Sequence, residues 1–365
     1  MAVAHKTGQW TLESQKGLES LHYDANATES EQDIGPDDVL VELHAASLNY
    51  RDLVVTEGAV EGSPMEFPIL PSMVPASDGA GRILKIGSAV ASARPNLKPG
   101  VDVMLYMVPH VSDGELPSYD DISKGLGGHI HGTLAHRGVF HHGLVVPKPI
   151  TLSYAQAATL CCSGLTAWNA LMGYKGHEVK EGDWVLVQGT GGVSIAALQI
   201  ALAVGAKVIA TTSSDTKAER LRALGTTHIL NYRSTPNWGE HAKSLTPSSR
   251  GVDHVVDVGG PTTLPESLKA IRRDGLITLA GLVGGLTGEG GVPVDIMNAM
   301  FSICVLRGVL LGSRGMLRDM VRFIDEKKVP IAHDDIEFAL ADANKAYERL
   351  KQQKHFAKVV IKMDH

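Results

Sequence analysis

Between Asp38 and Arg137, apolar positions come in short runs punctuated by glycine and proline: Val39–Leu43, Gly79–Ile86 and Val101–Met107. Such spacing predicts a small β-rich domain. Around Trp184 the pattern changes to a buried apolar strand, a glycine turn and an amphipathic helix, and that unit recurs. Strand Trp184–Gln188 is followed by helix Val193–Val204, and strand Lys207–Thr211 by helix Lys217–Leu224. Strands Val252–Val258, Leu276–Gly281 and Val305–Leu311 come next. Alternating strands and helices predict an α/β domain, a doubly wound parallel sheet with helices on both faces. From Pro330 to Met363 the chain returns to a helix, Ala341–Gln352, and a strand, Lys358–Ile361, which are expected to rejoin the first domain. No internal repeat is apparent, so a solenoid is unsupported.

Composition narrows the class. The 365 residues are 44% hydrophobic and 20% charged, close to the globular average. No apolar run reaches the ~18 to 20 residues of a bilayer span, and Met1–Trp10 is mixed and polar, without the apolar core of a secretory signal. A cytoplasmic protein is expected. The three cysteines, Cys161, Cys162 and Cys304, cannot build a disulfide framework and point to a reducing compartment. A net charge of −6 without a basic block argues against nucleic acid as the main partner. The sequon Asn26-Ala27-Thr28 has no use without a secretory route.

The segment Val185–Ser194 carries candidate chemistry. Its glycine-rich turn stands directly after a strand and opens a helix, the context in which Gly189, Thr190, Gly191, Gly192 and Val193 cradle a pyrophosphate. Gly189 permits the tight turn, Gly191 lets backbone approach the phosphates, and the helix start offers unpaired N–H groups to negative charge. Ser194 stands where the usual fingerprint has its third glycine, and is small enough for close packing. The end of the next strand selects the dinucleotide, since an acid there binds a free ribose 2′-hydroxyl. Val208–Ser214 ends in hydroxyls instead, with Lys217 following and Tyr232-Arg233 after the next strand. Hydroxyls and cations suit a 2′-phosphate, so NADPH is the expected cofactor. The plainer alternative is that Lys217 and Arg233 are solvated charges and Asp215 a helix cap.

Four segments together carry a family resemblance: Asn49-Tyr50-Arg51-Asp52, Val187–Ser194, Asn231-Tyr232-Arg233 and His355–Ile361. The chain resembles the medium-chain dehydrogenase/reductase superfamily, in its zinc-type alcohol dehydrogenase-like and quinone oxidoreductase group, over nearly its whole length. The resemblance implies a GroES-like catalytic domain from residues 1–153 and 320–365, a Rossmann domain from 154–319, and a homo-oligomer. It implies that Ser213, Lys217 and Tyr232 surround the 2′-phosphate, that Thr166 lies near the nicotinamide and Lys358 near the pyrophosphate, and that backbone at Val258, Leu282 and Leu311 lines the nicotinamide side. The substrate is expected on loops between Met65 and Phe140 and after Gly284.

Zinc members of the group hold the metal through Cys, His and Cys. The matching positions here are Asn49, Ser77 and Cys162, and Arg94–Glu115 lacks the four cysteines of a structural zinc lobe. Neither zinc is expected. His129, His131, His136, His141 and His142 are expected to be surface or hydrogen-bonded histidines rather than a substitute metal site. Without a Lewis acid, charge developing on the substrate oxygen must be held by hydrogen-bond donors, which favours acceptors whose product anion is conjugated. Enones and quinones therefore come before simple aldehydes. Asn49 and Tyr50 are the candidate donors, Tyr50 also the candidate proton donor, and Asp52 orients the segment. The plainer alternative makes Asn49–Asp52 a turn held by side-chain hydrogen bonds. Two other functions stay open: a metal-free alcohol dehydrogenase or carbonyl reductase, and a non-catalytic NADPH-binding protein.

Overall fold

The computed structural model describes residues 6–28, 34–58, 67–281 and 297–364. The chain divides into two compact units, one of Met1–Cys162, Ser313–Glu326 and Ala332–His365, the other of Ser163–Gly312 and Lys327–Ile331. The chain crosses between them at Cys162/Ser163 and Gly312/Ser313, where 153/154 and 319/320 are expected from sequence, and again at Glu326/Lys327 and Ile331/Ala332.

In chain order the strands of the first part are β1 (Lys6–Leu12), β2 (Leu21–Thr28), β3 (Asp38–Leu48), β4 (Asp78–Ile86), β5 (Asp102–Leu105), β6 (Arg137–His141) and β7 (Val145–Pro147). Then come β8 (Trp184–Gln188), β9 (Lys207–Thr212), β10 (His228–Asn231), β11 (Val252–Asp257), β12 (Ile271–Leu279) and β13 (Val305–Gly308). The last two are β14 (Glu337–Ala339) and β15 (Val359–Lys362).

The first unit is the GroES-like β domain. Its main sheet runs β14-β15-β3-β4-β5-β7, with β6 also pairing β3, while β1 and β2 form an antiparallel pair that the sequence pattern did not announce. Strand β3 shows why the sheet forms. Val39, Val41 and Leu43 alternate into the core, and from Ala45 to Leu48 every residue is buried. The alternation stops there because both faces are covered, and Ala45, Ala46 and Ser47 are small enough for that. Gly81 on β4 is required by close approach, since a Cβ there would stand 2.0 Å from the Glu42 carbonyl oxygen. Leu43, Ile83, Leu105, Phe140, Tyr347 and Ile361 belong to one core cluster, each large apolar side chain contributing about 1.5–3 kcal/mol on burial.

Register positions the chemistry of this unit. β15 pairs antiparallel with β3 through Val359 opposite Leu48, and β3 with β4 through Ser47 opposite Asp78. Lys358, Asn49 and Asp78 are thereby brought to one end of three neighbouring strands.

The second unit is a parallel sheet in the order β10-β9-β8-β11-β12-β13. Numbered along the unit this is 3-2-1-4-5-6, the Rossmann order, whose switch point lies between β8 and β11. Leu186, Ile209, Trp238 and Ile277 share its core. β12 begins at Ile271, five residues before the expected Leu276, because the chain pairs, breaks register beside Asp274 (φ 57°) and pairs again from Leu276. The apolar run marks only the regular part.

Candidate active site

In the second unit, β8 ends at Gln188 and the helix Gly192–Val204 follows almost at once. Gly189 turns the chain at φ 70°, where L side chains are strained. Gly191, the residue before the helix, has an ordinary φ of −79°, and a Cβ on it would meet no atom within 4 Å. Nothing in the protein requires glycine at that position. The open space beside its backbone, in front of a helix N-terminus at the switch point, fits a pyrophosphate. Ser194 does the work of the third glycine and adds a tie, its hydroxyl donating to the Gln188 carbonyl at 2.6 Å. Thr190 and Val193 lie in the same turn and first helical residues.

The 2′-end is built from two adjacent strand ends. Ser213 follows β9, Lys217 stands in the first turn of helix Asp215–Ala223, and Tyr232 follows β10 with its N–H on the Thr212 carbonyl at 3.1 Å. Tyr232 is 42% exposed. The Asp215 carboxylate accepts from Asn231 Nδ2 at 3.2 Å. The hydroxyl, cation and phenol expected around a 2′-phosphate are thus brought to one edge.

Thr166 and Leu311 are buried, and the Thr166 hydroxyl donates to the Leu310 carbonyl at 3.3 Å. Asn169 Nδ2 donates to the Leu311 carbonyl, and Arg307 in turn grips Asn169 through its carbonyl at 2.8 Å and Oδ1 at 2.7 Å. Val258 donates its N–H to Gln188 Oε1 at 3.2 Å, while Gln188 Nε2 reaches Asp257 at 3.0 Å and Ser267 at 2.8 Å. Sequence reasoning missed Gln188, Asn169, Asp257 and Arg307. Their signal was a polar side chain inside an apolar run, as Gln188 is in β8. Met65, Leu282 and residues 284–296 lie outside the described residues.

In the first unit, Asn49-Tyr50-Arg51-Asp52 opens the helix Tyr50–Glu57 instead of forming an isolated turn. Asn49 N–H donates to Asp52 Oδ2 at 2.7 Å and Asp52 N–H to the Asn49 carbonyl at 2.9 Å. Tyr50 is half exposed, whereas Asn49 and Asp52 are buried. Burial pushes the Asp52 carboxyl up to about 6, against the pull of Arg51, whose guanidinium lies 3.6 Å away.

The Asn49 side chain turns to a polar centre assembled from five segments. Its Oδ1 accepts from the Lys358 ammonium, and its Nδ2 lies 3.5 Å from Ser77 Oγ. Lys358 also donates to the Leu48 carbonyl at 2.6 Å and lies 3.4 Å from Asp78 Oδ2. Asp78 Oδ2 further receives the Cys162 N–H at 3.4 Å, and Ser47 Oγ donates to the Ala158 carbonyl at 2.9 Å. The Lys358 ammonium, expected near the pyrophosphate, is engaged by three oxygens of the first unit, because the β15–β3 register delivers it there. Asp78 supplies the carboxylate that faces Lys358, and sequence reasoning missed it.

Cys161 and Cys162 lie in a π-helical turn, Leu160–Gly164. Burial and then the Asp78 carboxylate push the Cys161 thiol well up and the Cys162 thiol to about 12. Both are neutral at physiological pH. A catalytic zinc needs about three deprotonated or imidazole ligands. Neither an amide whose oxygen is already held by an ammonium nor a serine hydroxyl supplies such a ligand, which leaves a single thiol at the matched positions. Among the described residues, no group of three or more His, Cys, Asp or Glu side chains is arranged to hold a metal. Three of the histidines are spent on backbone: His131 Nδ1 accepts from Val74 at 3.1 Å, His136 Nδ1 from Gly8 at 2.9 Å and His141 Nδ1 from Gly143 at 3.0 Å.

A Rossmann-ordered sheet with a phosphate turn at its switch point, in one chain with a GroES-like unit, defines a dehydrogenase or reductase of the nicotinamide-nucleotide type. Residues 35–150 match the family of alcohol dehydrogenase GroES-like domains, and residues 192–326 match zinc-binding dehydrogenases. A zinc-type alcohol dehydrogenase-like protein of Schizosaccharomyces pombe is 41% identical over 339 residues, 91% of this chain and 93% of that one. The crystal structure of an alcohol dehydrogenase-type protein from Sinorhizobium meliloti 1021 superposes with a TM-score of 0.86 at 34% identity, covering 99% of this chain and 100% of the other. That of an NAD-dependent alcohol dehydrogenase gives 0.80 at 29% identity, over 98% and 100%. The chain belongs to the medium-chain dehydrogenase/reductase superfamily and is an oxidoreductase of that family. No helix among the described residues is long and apolar enough to cross a membrane.

Proposed function

We propose that this chain is a zinc-independent, NADPH-dependent reductase of conjugated carbonyl compounds, enones or quinones. The observation that carries the reading is the polar centre of the first unit, where Asn49, Ser77, a neutral Cys162 and the Lys358 ammonium stand at and around the positions matched to zinc ligands. NADPH, when bound at the Gly189–Val193 turn with its 2′-phosphate on Ser213, Lys217 and Tyr232, supplies the hydride. Thr166, Val258 and Leu311 line its nicotinamide end. The protein's own work is to hold the acceptor oxygen as it becomes negative: Asn49 donates its amide N–H, and Tyr50, exposed at the helix start, donates its phenol and then gives a proton. Asp52 contributes by fixing the Asn49 backbone.

An enolate or hydroquinone anion spreads its charge over a conjugated system, so neutral donors suffice. The alkoxide of a simple aldehyde demands more. NADPH consumption in metal-free buffer with an α,β-unsaturated ketone, a quinone and an unconjugated aldehyde tests the reading. Turnover of the first two alone is the expected outcome. Equal turnover of the aldehyde replaces it with a metal-free carbonyl reductase, and tight NADPH binding without turnover replaces it with a non-catalytic binder.

The reading extends to assembly and compartment. β13 ends the parallel sheet, and Met297, Met300, Phe301 and Ile303 before it are exposed apolar residues, a surface suited to a second copy. Phe301→Glu is expected to shift the species seen by light scattering from dimer to monomer, and an unchanged mass argues against this face. The three free thiols support a cytoplasmic location.

A further inference from the structure

One fully engaged, buried cation of the first unit, Lys358, has no role in the reaction as described. Lys358 is 4% exposed, and its ammonium has three oxygens for three N–H bonds: the Leu48 carbonyl at 2.6 Å, Asn49 Oδ1, and Asp78 Oδ2 at 3.4 Å. An ammonium donates and never accepts. The atom of the Asn49 amide that faces Lys358 must therefore be its oxygen, which places the two N–H bonds of Nδ2 on the side of Ser77, 3.5 Å away. The backbone of Asn49 is held independently by Asp52 at 2.7 Å. One rotamer and one flip of the amide are thus selected, by a cation inaccessible to solvent.

We infer that Lys358 is a positioning residue for reduction: it locks the Asn49 amide with its donor nitrogen toward the acceptor oxygen and polarises that amide with a fixed positive charge. This rests on the proposed carbonyl reduction. In it, the hydride forms a C–H bond at the acceptor, the displaced electron pair of the conjugated system moves to oxygen, and a proton from Tyr50 or water completes the product. Lys358 exchanges no proton in any step. A positive charge relayed through an amide gains in value as oxygen becomes negative, so its removal lowers kcat more than it raises KM. Asp78 keeps the ammonium in place and balances its charge.

Lys358→Met alone leaves the Asp78 carboxylate buried without its cation, which endangers folding. The Lys358→Met/Asp78→Asn double variant removes both charges and is the partner measurement. Two readouts are taken on folded protein: enone reduction with NADPH, and the solvent exchange of the Asn49 side-chain amide by 15N NMR, its signals identified by their loss in Asn49→Asp. The expected result is a kcat lower by about 10²–10³-fold with KM changed less than about threefold, faster amide exchange, and partial recovery of kcat in Lys358→Arg. Unchanged amide exchange overturns the inference whatever the kinetics. Altered exchange with kcat within about threefold of wild type overturns it too. If the wild-type protein reduces no conjugated acceptor, the reductase reading fails separately, and the amide exchange alone decides whether Lys358 sets the Asn49 amide.

Discussion

The phosphate turn of the second unit and the polar centre of the first are built on opposite principles. The turn is local: Gly189–Val193, backbone N–H groups and empty space, with side-chain ties at Ser194 and Thr211. The polar centre is dispersed over Ser47–Asp52, Ser77–Asp78, Ala158, Cys162 and Lys358, and it consists of buried charged and polar side chains. The first, in the proposed function, recognises a constant part of a cofactor, and it costs the fold little. The second, proposed to carry the chemistry, is expensive, since each of its charges is desolvated and must be matched. In this molecule binding and stability are therefore separable in one region and entangled in the other.

Removing one partner from the polar centre tests the entanglement most severely. Asp78→Ala leaves the Lys358 ammonium buried without its carboxylate and is expected to cost about 3–5 kcal/mol in urea unfolding, with NADPH affinity unchanged in the fraction that folds. A loss below about 1 kcal/mol would show the pair to be solvated.

Protonation comes next. Burial holds the Asp52 carboxyl at about 6, against 3.8 for an ordinary aspartate, so the folded state binds this proton more tightly than the unfolded state does. The resulting stability is fully present below about pH 4 and is lost as pH rises through about 6, an amount of about 3 kcal/mol. Asp52→Asn is expected to flatten the stability profile across that window. A profile identical to wild type would remove Asp52 as its source.

The phosphate turn should respond the other way. The Cβ added by Gly191→Ala meets no neighbour in the protein, so thermal stability is expected to hold while the Kd for NADPH rises at least about tenfold in fluorescence titration, the methyl group entering the space of the pyrophosphate. A comparable loss of stability would erase the contrast between the regions. The smallest effect is expected at the 2′-end. Lys217→Ala should lower the preference for NADPH over NADH by about tenfold, the value of one exposed charge-assisted contact to phosphate, and equal effects on both cofactors would take Lys217 out of the 2′-site.

What could be read in advance follows the same division. β8 matched its expected bounds and the helix after it came within one residue, because an apolar run, a glycine turn and a helical period are all local signals. Ser213, Lys217 and Tyr232 could be proposed as a group for the same reason, since parallel strands deliver their C-terminal ends to one edge. Lys358 illustrates the opposite case. The pattern around it announced a strand, but not that Val359 would stand opposite Leu48 and carry the ammonium to Asn49. Asp78 was one acid in a loop-like run until β4 paired with β3. Gln188, legible only as a polar interruption, is the residue that ties β8 to the turn after β11.

By itself the sequence determined the two-unit α/β organisation, the dinucleotide turn and the replacement of cysteine and histidine at the matched zinc positions, because each depends on residue type or on periods shorter than a helix. Only the tertiary structure decided which partners engage those positions. Strand register between β15, β3 and β4, set by the burial of side chains some three hundred residues apart, brings a lysine, an asparagine and an aspartate within hydrogen-bonding reach, and no local pattern encodes which distant charge will neutralise which.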